Sequence, residues 1–382
     1  MTSILFMTHA GAAGGAELKM IDLAESTENP SEVLLLDNGP LEGELKARGI
    51  RVSVQALPAS AGSVRRESGL IGLLRAIPAT LSMIRGIARR SRQFDTIVCF
   101  SQKSFVLAAL AKPFARRPIL WFMNDIVSTD HFNPLLVKFL TLLSHAAANH
   151  VIVNSEASLE AWFAAGGRRK RVSVIHPMIR ADLAAVQSCE ASRIAAYREK
   201  FGRGRPLVGM FGRISPWKGQ DIFLRAIARV PGVNAVIAGG ALFGEEQHER
   251  NLRQLTLDLG IEDRVTFAGH ISDVPTLMSA CDVVAHCSTA PEPFGRVIVE
   301  SMFAGTPVIA SDAGGAREIV KHDETGQLTP MSDVPALADA IRRYLEDPHW
   351  SRAIATKARA HAEESFSPAA MTQRFNEILM SA

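Results

Sequence analysis

The sequence predicts an α/β protein made of two doubly wound parallel-sheet domains. Short apolar runs typical of buried strands alternate with stretches of helical periodicity along most of the chain, which is the pattern of βαβ units. A strand, a glycine-containing loop and a helix follow one another twice, first from Ile4 and again from Leu207. The chain has 382 residues, enough for two hydrophobic cores. We therefore expect each of these repeats to open a domain.

The strands of the first half lie between glycine-rich or polar segments. Strands are predicted at Ile4–Met7, Val33–Leu36, Ile50–Val54, Thr96–Phe100, Pro118–Met123, Val151–Asn154 and Val172–Ile175, with helices from about Ala16 and over Leu41–Arg48. Ser155 is expected to be the N-cap of the next helix. Ligands of open α/β sheets bind beyond the carboxyl ends of the strands, so Asn124, which follows Met123, is expected to line the binding cleft.

Residues 64–92 form the most basic part of the chain, with seven arginines against Glu67 alone among acids. Apolar residues recur there at helical spacing, and Pro78 is predicted to divide the stretch into two helices. The commoner explanation is a helix that packs an apolar stripe on the sheet and leaves its arginines in water. The alternative is a basic amphipathic segment that lies on an anionic membrane surface.

The second half repeats the same alternation. Strands are predicted from Leu207, at Ala235–Gly240, Val265–Gly269, Asp282–His286 and Val308–Ala310, with a helix over Arg296–Ala304, Gly305 as its C-cap and a closing helix over Glu363–Leu379. The connection between the domains is expected within His176–Pro206, where glycine and proline cluster.

The helix that follows Gly295 carries the main functional signal. A helix that begins at a glycine turn presents free backbone N–H groups and the positive end of its dipole, which suits a phosphate. Glu300 is about 9 Å along the axis from Phe294, at 1.5 Å of rise per residue. Glu292 and Glu300 could therefore hold the two ends of a nucleotide-sugar. The alternative is a solvated loop glutamate and a helix-surface glutamate.

The segment Glu292–Glu300, with the sequence EPFGRVIVE, resembles the E-x7-E signature of retaining GT-B glycosyltransferases of family 4, also called glycosyltransferase group 1. Residues 304–311, 314–319 and 325–326 match the same family's pattern in order. The resemblance implies two Rossmann-like domains that face each other across a cleft. Residues 1–178 would bind the acceptor, residues 179–362 the nucleotide-sugar, and a helix over 363–382 would cross back to the first domain.

The resemblance also implies the roles of single residues. Arg213 and Lys218 match the basic pair that binds the donor phosphates and stabilises the departing nucleotide, and Glu292 would orient the donor sugar. These three are the expected catalytic residues. Where many relatives have histidine, Asn124 could still hydrogen-bond a sugar hydroxyl but could not take up a charge. The remaining donor site is expected to consist of Gly15, Asn124, Gly212, Ile271, Phe294, Gly295, Arg296, Val297 and Glu300.

These features predict a retaining, hexosyltransferase-like glycosyltransferase that moves a sugar from a UDP- or GDP-sugar to a hydroxyl on a sugar or lipid-linked glycan, in the synthesis of cell-surface glycans or glycolipids. The chain contains no Asp-x-Asp sequence, so no metal is expected. One alternative is an epimerase or a glycoside phosphorylase on the same fold. Another is a non-catalytic subunit that binds nucleotide-sugars.

Composition agrees with this class of protein. The content of 47% hydrophobic and 21% charged residues is that of an ordinary globular protein, and a net charge of +3 gives no reason to expect a nucleic-acid partner. The four cysteines lack the spacing of a zinc site or a redox pair, which favours reduced thiols in the cytoplasm. No signal peptide is recognisable, and no apolar run approaches the ~20 residues that span a bilayer. Any membrane contact is therefore expected to be peripheral, on the inner face.

Overall fold

The computed structural model describes residues 1–56, 70–128, 132–179, 191–241 and 244–381, with side chains of the helix that starts at Leu70 described from residue 80. The chain divides into two compact units. The first consists of Met1–Met178 together with Pro368–Ala382, and the second of Ile179–Ser367. Both ends of the chain therefore belong to the first unit.

The first unit is built on a parallel seven-stranded sheet of order β3-β2-β1-β4-β5-β6-β7. Its strands are β1 (Ile4–Thr8), β2 (Ser31–Leu35), β3 (Val52–Val54), β4 (Thr96–Cys99), β5 (Ile119–Met123), β6 (His150–Val153) and β7 (Val172–Val174). Its helices are α1 (Gly15–Ser26), α2 (Pro40–Ala47), α3 (Leu70–Ser91), α4 (Gln102–Ala115), α5 (Pro134–Ala147), α6 (Glu156–Ala164) and, at the end of the chain, α15 (Pro368–Ser381).

Helices cover both faces of this sheet, which gives the first unit two hydrophobic cores. On one face, α1, α2 and α15 bury side chains such as Met20, Leu45 and Phe375 against the strands. On the other face, α3, α4 and α5 bury side chains such as Ile87 and Phe105. A parallel sheet must be covered on both faces because its strands are apolar on both sides.

The second unit is a parallel six-stranded sheet of order β10-β9-β8-β11-β12-β13. The strands are β8 (Leu207–Phe211), β9 (Asn234–Ala238), β10 (Val265–Gly269), β11 (Val283–His286), β12 (Val308–Ser311) and β13 (Gln327–Thr329). The helices are α7 (Ala191–Tyr197, continued as a π-helix over Arg198–Gly202), a 3-10 turn (Pro216–Lys218), α8 (Gln220–Ala228), α9 (Glu246–Asp258), α10 (Val274–Ala280), α11 (Arg296–Phe303), α12 (Ala316–Ile319), α13 (Val334–Glu346) and α14 (Pro348–Ser365).

The predicted class, an α/β protein with two doubly wound parallel sheets, is confirmed, and the predicted strands are present with ends shifted by one or two residues. Ser155 caps α6 by accepting a hydrogen bond from the Ser158 amide, as predicted. Glu363 was expected to open the last helix, but α14 continues to Ser365 and α15 begins only at Pro368. The reason is local, because a proline disfavours helical geometry in the residue before it.

The division of the basic stretch at Pro78 was also wrong, because α3 runs without a break from Leu70 to Ser91. An interior proline removes a backbone hydrogen bond, at a cost of about 3 kcal/mol. Downstream, α3 buries Met83, Ile84 and Ile87 against the sheet. Each such buried side chain contributes about 1.5–3 kcal/mol, so this packing offsets the penalty. Among the described residues, no helix is long and apolar enough to cross a membrane.

Candidate functional site

Glu292 lies in the loop between β11 and α11, and its side chain is almost fully buried, at 11% exposure. Its carboxylate forms an ion pair with Lys218 Nζ and contacts His286 Nε2. Ser288 Oγ donates a third hydrogen bond to Oε2, at 3.1 Å. Because an ionised carboxylate can only accept, His286 must carry its proton on Nε2 in this arrangement.

Glu292 keeps its negative charge in spite of this burial. Burial alone would raise the pKa of the carboxyl group. The positive charge of Lys218, together with the charge and hydrogen bond of His286, outweighs burial and holds the pKa of Glu292 well below its usual range. The site therefore contains a buried carboxylate that is ionised at neutral pH beside a cation.

The two loops that carry Lys218 and Glu292 pack backbone against backbone. Gly219 follows Lys218 with a positive φ of 73°, and a Cβ there would overlap the carbonyl oxygen of Cys287. The Thr289 amide donates to the carbonyl of Trp217, at 2.8 Å. Lys218 Nζ also lies 4.3 Å from the centre of the Trp217 ring, a cation–π geometry. These contacts fix the ammonium group at the carboxylate.

A third segment, Gly314-Gly315, supports the Glu292 loop from the other side. The Gly315 amide donates to the carbonyl of Glu292, at 2.9 Å. Gly314 has a φ of 57°, and a Cβ at this position would overlap the Glu292 carbonyl oxygen and lie 2.7 Å from its amide nitrogen. Only glycine fits there without moving the loop.

Helix α11 begins directly after Gly295, so its N-cap residue has no side chain that could cap the first turn. Glu300 is on this helix one turn after Arg296, and its Oε1 lies 3.5 Å from the Arg296 Nε. The Phe294 side chain is buried in the core of the second unit, edge-on to Phe366. Phe294 can therefore meet a ligand only through its backbone.

Arg213 follows β8 in a loop whose backbone is held on both sides. The Gly212 amide donates to the Ala238 carbonyl, at 2.9 Å, and the side chain of buried Gln220 donates to the Arg213 carbonyl, at 3.0 Å. The Arg213 side chain is partly exposed. Arg213 and Lys218 thus lie on one loop, at the carboxyl end of the sheet, where Lys218 meets Glu292.

In the first unit, Glu17 fixes the glycine-rich loop before Gly15. Its carboxylate accepts hydrogen bonds from Thr8 Oγ1, at 2.8 Å, and from the Gly14 amide, at 3.1 Å. This carboxylate therefore ties the start of α1 to the end of β1, and sets the shape of the turn that contains Gly14 and Gly15.

The Asn124 amide group faces inward at the end of β5. Its Nδ2 donates to the Phe100 carbonyl, at 2.6 Å, while its Oδ1 is buried without a hydrogen-bond partner among the described residues. The Phe100 carbonyl determines this orientation of the amide group, because the Asn124 Oδ1 in the place of Nδ2 would be repelled by the carbonyl oxygen. Asn154 donates to the Asn124 carbonyl, at 3.1 Å, and itself accepts from buried Lys19.

Two family models match the chain: "Glycosyl transferases group 1" over residues 193–361 and "Glycosyl transferase 4-like domain" over residues 23–178. Over the full length of both chains, the structure is similar to Anabaena Alr3699/HepE in complex with UDP and glucose, with 37% identity and a TM-score of 0.90. The chain belongs to the group 1 glycosyltransferase family.

Curated relatives of this group 1 glycosyltransferase match over a shorter range. The D-inositol 3-phosphate glycosyltransferase of Mycolicibacterium smegmatis is 35% identical over 223 residues, which are 57% of this chain and 49% of that protein. The putative glycosyltransferase YtcC of Bacillus subtilis is 34% identical over 194 residues, 48% of each chain. The matched part thus spans about half the length of these relatives. None of these comparisons favours an epimerase, a phosphorylase or a non-catalytic subunit.

The structure brings some of the expected site residues of this group 1 glycosyltransferase into contact and leaves others apart. Lys218 and Glu292 are in direct contact, and Arg296 pairs with Glu300 along α11. Gly15 and Asn124 belong to the first unit, and the other expected residues to the second. Ile271 and Val297 are partly buried against the core of the second unit, as Phe294 is fully buried in it. No group of three or more potential metal ligands occurs within the described part of the chain.

His286, Ser288, Lys19 and Asn154 were not among the expected residues. His286 lies at the carboxyl end of β11, a position where ligands of α/β sheets gather, and this was the available signal. Lys19 gives no such signal, because a lysine on a surface helix is normally exposed. It is nevertheless 1% exposed, with its ammonium group 4.5 Å from the centre of the Phe122 ring.

Proposed function

We propose that this chain transfers a sugar from a nucleotide diphosphate sugar to a hydroxyl acceptor, with retention of the anomeric configuration. The observation that carries the proposal is the buried ion pair between Lys218 and Glu292, in the loop that leads into α11 at its glycine N-cap. A cation next to a helix N-terminus suits a diphosphate, and a carboxylate held ionised suits a sugar that gains positive charge at its anomeric carbon.

In this proposal the second unit stabilises the leaving group. When the bond between the anomeric carbon and the phosphate oxygen breaks, its electron pair stays on the β-phosphate. Arg213, Lys218 and the backbone N–H groups after Gly295 would meet this charge in place, without reorganisation in the transition state. Lys218 is preorganised for this role, because Glu292 and the Trp217 ring already hold its ammonium group.

We propose a UDP-sugar as the donor, rather than a GDP-sugar. The support is the likeness to Alr3699/HepE, which is 36% identical over both full chains and was solved in complex with UDP-glucose. Glu300 would bind the ribose hydroxyls, and the base would lie near the backbone of Ile271. No metal has a role in this scheme, because cationic side chains and a helix start take the place of an ion at the diphosphate.

We also propose a sugar or a lipid-linked glycan as the acceptor, in the synthesis of cell-surface glycans or glycolipids, and a cytoplasmic protein with a peripheral contact to the inner membrane. Three of the cysteines, Cys99, Cys281 and Cys287, are buried and free, and burial raises the pKa of each thiol. Unreactive free thiols fit a reducing compartment. The described end of the basic stretch exposes Arg85, Arg89 and Arg92, which supports a contact with anionic lipids.

A thermal-shift screen with nucleotide-sugars tests the donor. A ligand present at 100 times its dissociation constant adds about 2.7 kcal/mol to the free energy of unfolding. We expect UDP-sugars to raise the melting temperature and GDP-sugars to leave it unchanged. The reverse result would contradict the proposed nucleotide while leaving sugar transfer open.

Release of the nucleotide with the selected donor and an acceptor mixture tests the site. Lys218→Ala is expected to lower turnover about 100- to 1,000-fold, as for the loss of one preorganised stabiliser of the transition state. Glu300→Ala is expected to act mainly by raising the KM for the donor. Lys357→Ala and Glu346→Ala, at exposed positions of the same unit, are the matched controls. Near-normal kinetics in both Lys218→Ala and Glu300→Ala would refute the site.

A further inference from the structure

Lys19 on α1 is a charged side chain that no step of the proposed reaction uses. It is 1% exposed and is one of the largest fully buried side chains among the described residues. Lysine is almost never fully buried unless its ammonium group is paired, because removal of the charge from water is unfavourable. A buried charge contributes little net stability compared with an apolar side chain of similar volume, so Lys19 is better explained by what it holds in place.

The ammonium group of Lys19 lies near the carboxyl end of the first sheet. Its Nζ is 4.5 Å from the ring centre of Phe122 on β5 and 5.9 Å from that of Phe100, the residue after β4. The two rings stack on each other with their centres 4.7 Å apart, and cation–π attraction holds the ammonium group beside them. Nζ also donates a hydrogen bond to Oδ1 of Asn154, the residue after β6, which is itself 5% exposed. Lys19 is therefore anchored at the edge of the sheet where ligands of α/β proteins bind.

Asn154 connects Lys19 to Asn124. Met123 and Val153 are paired in the register of β5 and β6, so Asn124 and Asn154 leave the two strands side by side. The Asn154 Nδ2 donates to the Asn124 carbonyl, at 3.1 Å. An ammonium group can only donate, so Lys19 fixes the amide oxygen of Asn154 on its own side and leaves the amide N–H for Asn124. Lys19 thus determines which way the Asn154 amide faces.

The side chain of Asn124 ends this series of contacts with a buried acceptor. Its Nδ2 donates to the Phe100 carbonyl, at 2.6 Å, which fixes the amide group. Its Oδ1 is buried and has no hydrogen-bond partner among the described residues. Buried polar atoms without a partner are rare in native proteins, and each calls for an explanation such as a role in catalysis or a bound group. An amide oxygen can only accept, so the matching group is a donor such as a sugar hydroxyl.

We infer that Lys19 and Asn154 are positioning residues of the transfer reaction, which hold Asn124 so that its Oδ1 accepts a hydrogen bond from a hydroxyl of a bound sugar. Lys19 acts through Asn154, and Asn154 through the backbone of Asn124. The inference rests on the proposed function and adds to it two residues that motif spacing does not reveal. The hydroxyl belongs either to the transferred sugar or to a sugar acceptor, and the kinetics of the two substrates separate these cases.

Two substitutions interrupt the series of contacts at different points. Lys19→Met removes the ammonium group and keeps a long unbranched side chain. Asn154→Asp keeps an acceptor for the Lys19 ammonium group, but a carboxylate cannot donate to the Asn124 carbonyl. We expect each to lower kcat/KM for nucleotide release about tenfold, because a small misplacement of a substrate-positioning group lowers the rate. The loss should be larger in the donor titration if Asn124 binds the transferred sugar, and larger in the acceptor titration if it binds the acceptor.

A double-mutant cycle with Asn124→Ala separates positioning from a general effect on the fold. In the Asn124→Ala background, Lys19→Met should lower kcat/KM by less than about twofold, since the amide group that it positions is gone. Lys46→Met is the matched control, because Lys46 lies on α2 of the same unit with its side chain 62% exposed. Its kinetics should equal those of the unchanged chain. Melting curves recorded by circular dichroism verify that each variant is folded at the assay temperature.

Two results would overturn the inference. One is a loss from Lys19→Met that is equally large in the Asn124→Ala background, which would give Lys19 a role in the fold alone. The other is near-normal kinetics of Asn154→Asp, a variant that keeps the ammonium group paired and therefore tests the inference even if Lys19→Met does not fold. In both cases the unchanged chain still releases nucleotide. Absence of that release in the unchanged chain would instead contradict the proposed transfer itself.

Discussion

The negative charge of Glu292 depends on its neighbours more than on water. A carboxylate taken out of water is unfavourable unless a partner compensates for the lost hydration. Lys218 and His286 supply that compensation, and Ser288 adds a hydroxyl. Removal of one partner should therefore change the protonation of the carboxyl group before it changes the fold.

Lys218→Met is expected to make the protein less stable at neutral pH and less sensitive to acid. In the unchanged chain, the folded-state pKa of Glu292 is depressed below the ordinary value of 4.5. The carboxylate therefore contributes stability above the unfolded pKa and loses it as pH falls through the folded pKa. Without the ammonium group, burial raises the folded pKa, so the carboxylate contributes less stability at neutral pH and less stability is lost as the pH falls. Melting temperatures recorded from about pH 3 to about pH 8 measure the shift.

Lys357→Met is the control for that experiment, since Lys357 is exposed on α14. Its melting temperatures should follow those of the unchanged chain throughout. Identical curves for Lys218→Met and the unchanged chain would show that Lys218 does not hold the charge of Glu292.

At the scale of single residues, the sequence identified both members of the ion pair, Lys218 and Glu292, but not the residues around it. Lys218 and Glu292 belong to short motifs with fixed spacing, and such motifs can be read directly. His286 contacts Glu292 only six residues further on, but through the fold of the loop after β11. Lys19 contacts Asn154, which is 135 residues away in the chain, through tertiary packing that buries a usually exposed residue type. Periodicity contains no information about such contacts.

Among the structural elements, the loop of Glu292 is the one most constrained by its surroundings. Gly219 packs against the carbonyl of Cys287, the residue that follows β11, and Gly314 packs against the backbone of Glu292. These contacts are between backbone atoms, which cannot rotate away as the end of a side chain can. The position of the carboxylate is therefore set by glycines that lie outside the loop.

Gly314→Ala is expected to displace Glu292 and to remove most of the transfer activity. The left-handed backbone of Gly314 adds strain of about 1–2 kcal/mol for any other residue, and the overlap with the Glu292 carbonyl adds to it. Urea unfolding measures the stability, and nucleotide release measures the activity.

Gly305→Ala separates the effect of backbone strain from the effect of displacing Glu292. Gly305 also has a positive φ, 71°, but a Cβ there would have no neighbour within 4 Å. We expect a similar strain of about 1–2 kcal/mol with activity preserved. If Gly314→Ala were as active as Gly305→Ala, the contact between Gly314 and Glu292 would have no part in placing the carboxylate.

The errors in element boundaries have two different causes. The helix end at Ser365 follows from the local rule on residues before proline, and could have been predicted from Pro368. The unbroken α3 could not be, because the burial of Met83, Ile84 and Ile87 outweighs the local effect of Pro78. A prediction from local sequence fails where tertiary packing stabilises an element by more free energy than the locally unfavourable residue costs.

At the scale of the whole molecule, the last helix, α15, belongs to the same unit as the first strand, β1. The side chain of Phe375 is fully buried, with its ring centre 6.4 Å from that of Phe6 and 6.2 Å from that of Phe122. The sequence could predict two sheets from the repeated strand–loop–helix start. The return of α15 came only from the family resemblance, because nothing in an amphipathic helix specifies which unit it covers.

Phe375→Ala is expected to lower the free energy of unfolding of the first unit by about 3–5 kcal/mol, as for other truncated core aromatics. Met380→Ala, at a side chain that is 80% exposed on the same helix, should have little effect. Calorimetry measures both variants. An unshifted transition in Phe375→Ala would mean that α15 contributes little to the core of the first unit.

The return of α15 also has a consequence during synthesis. The ribosome completes the second unit before it releases residues 368–382, so Phe6 and Phe122 lack their last covering until α15 has been made. In the nascent chain, the part of the first unit's sheet that α15 covers therefore stays exposed while the second unit can already be folded. We expect chaperones that bind exposed apolar segments to engage the first unit for most of the time that the chain is being made.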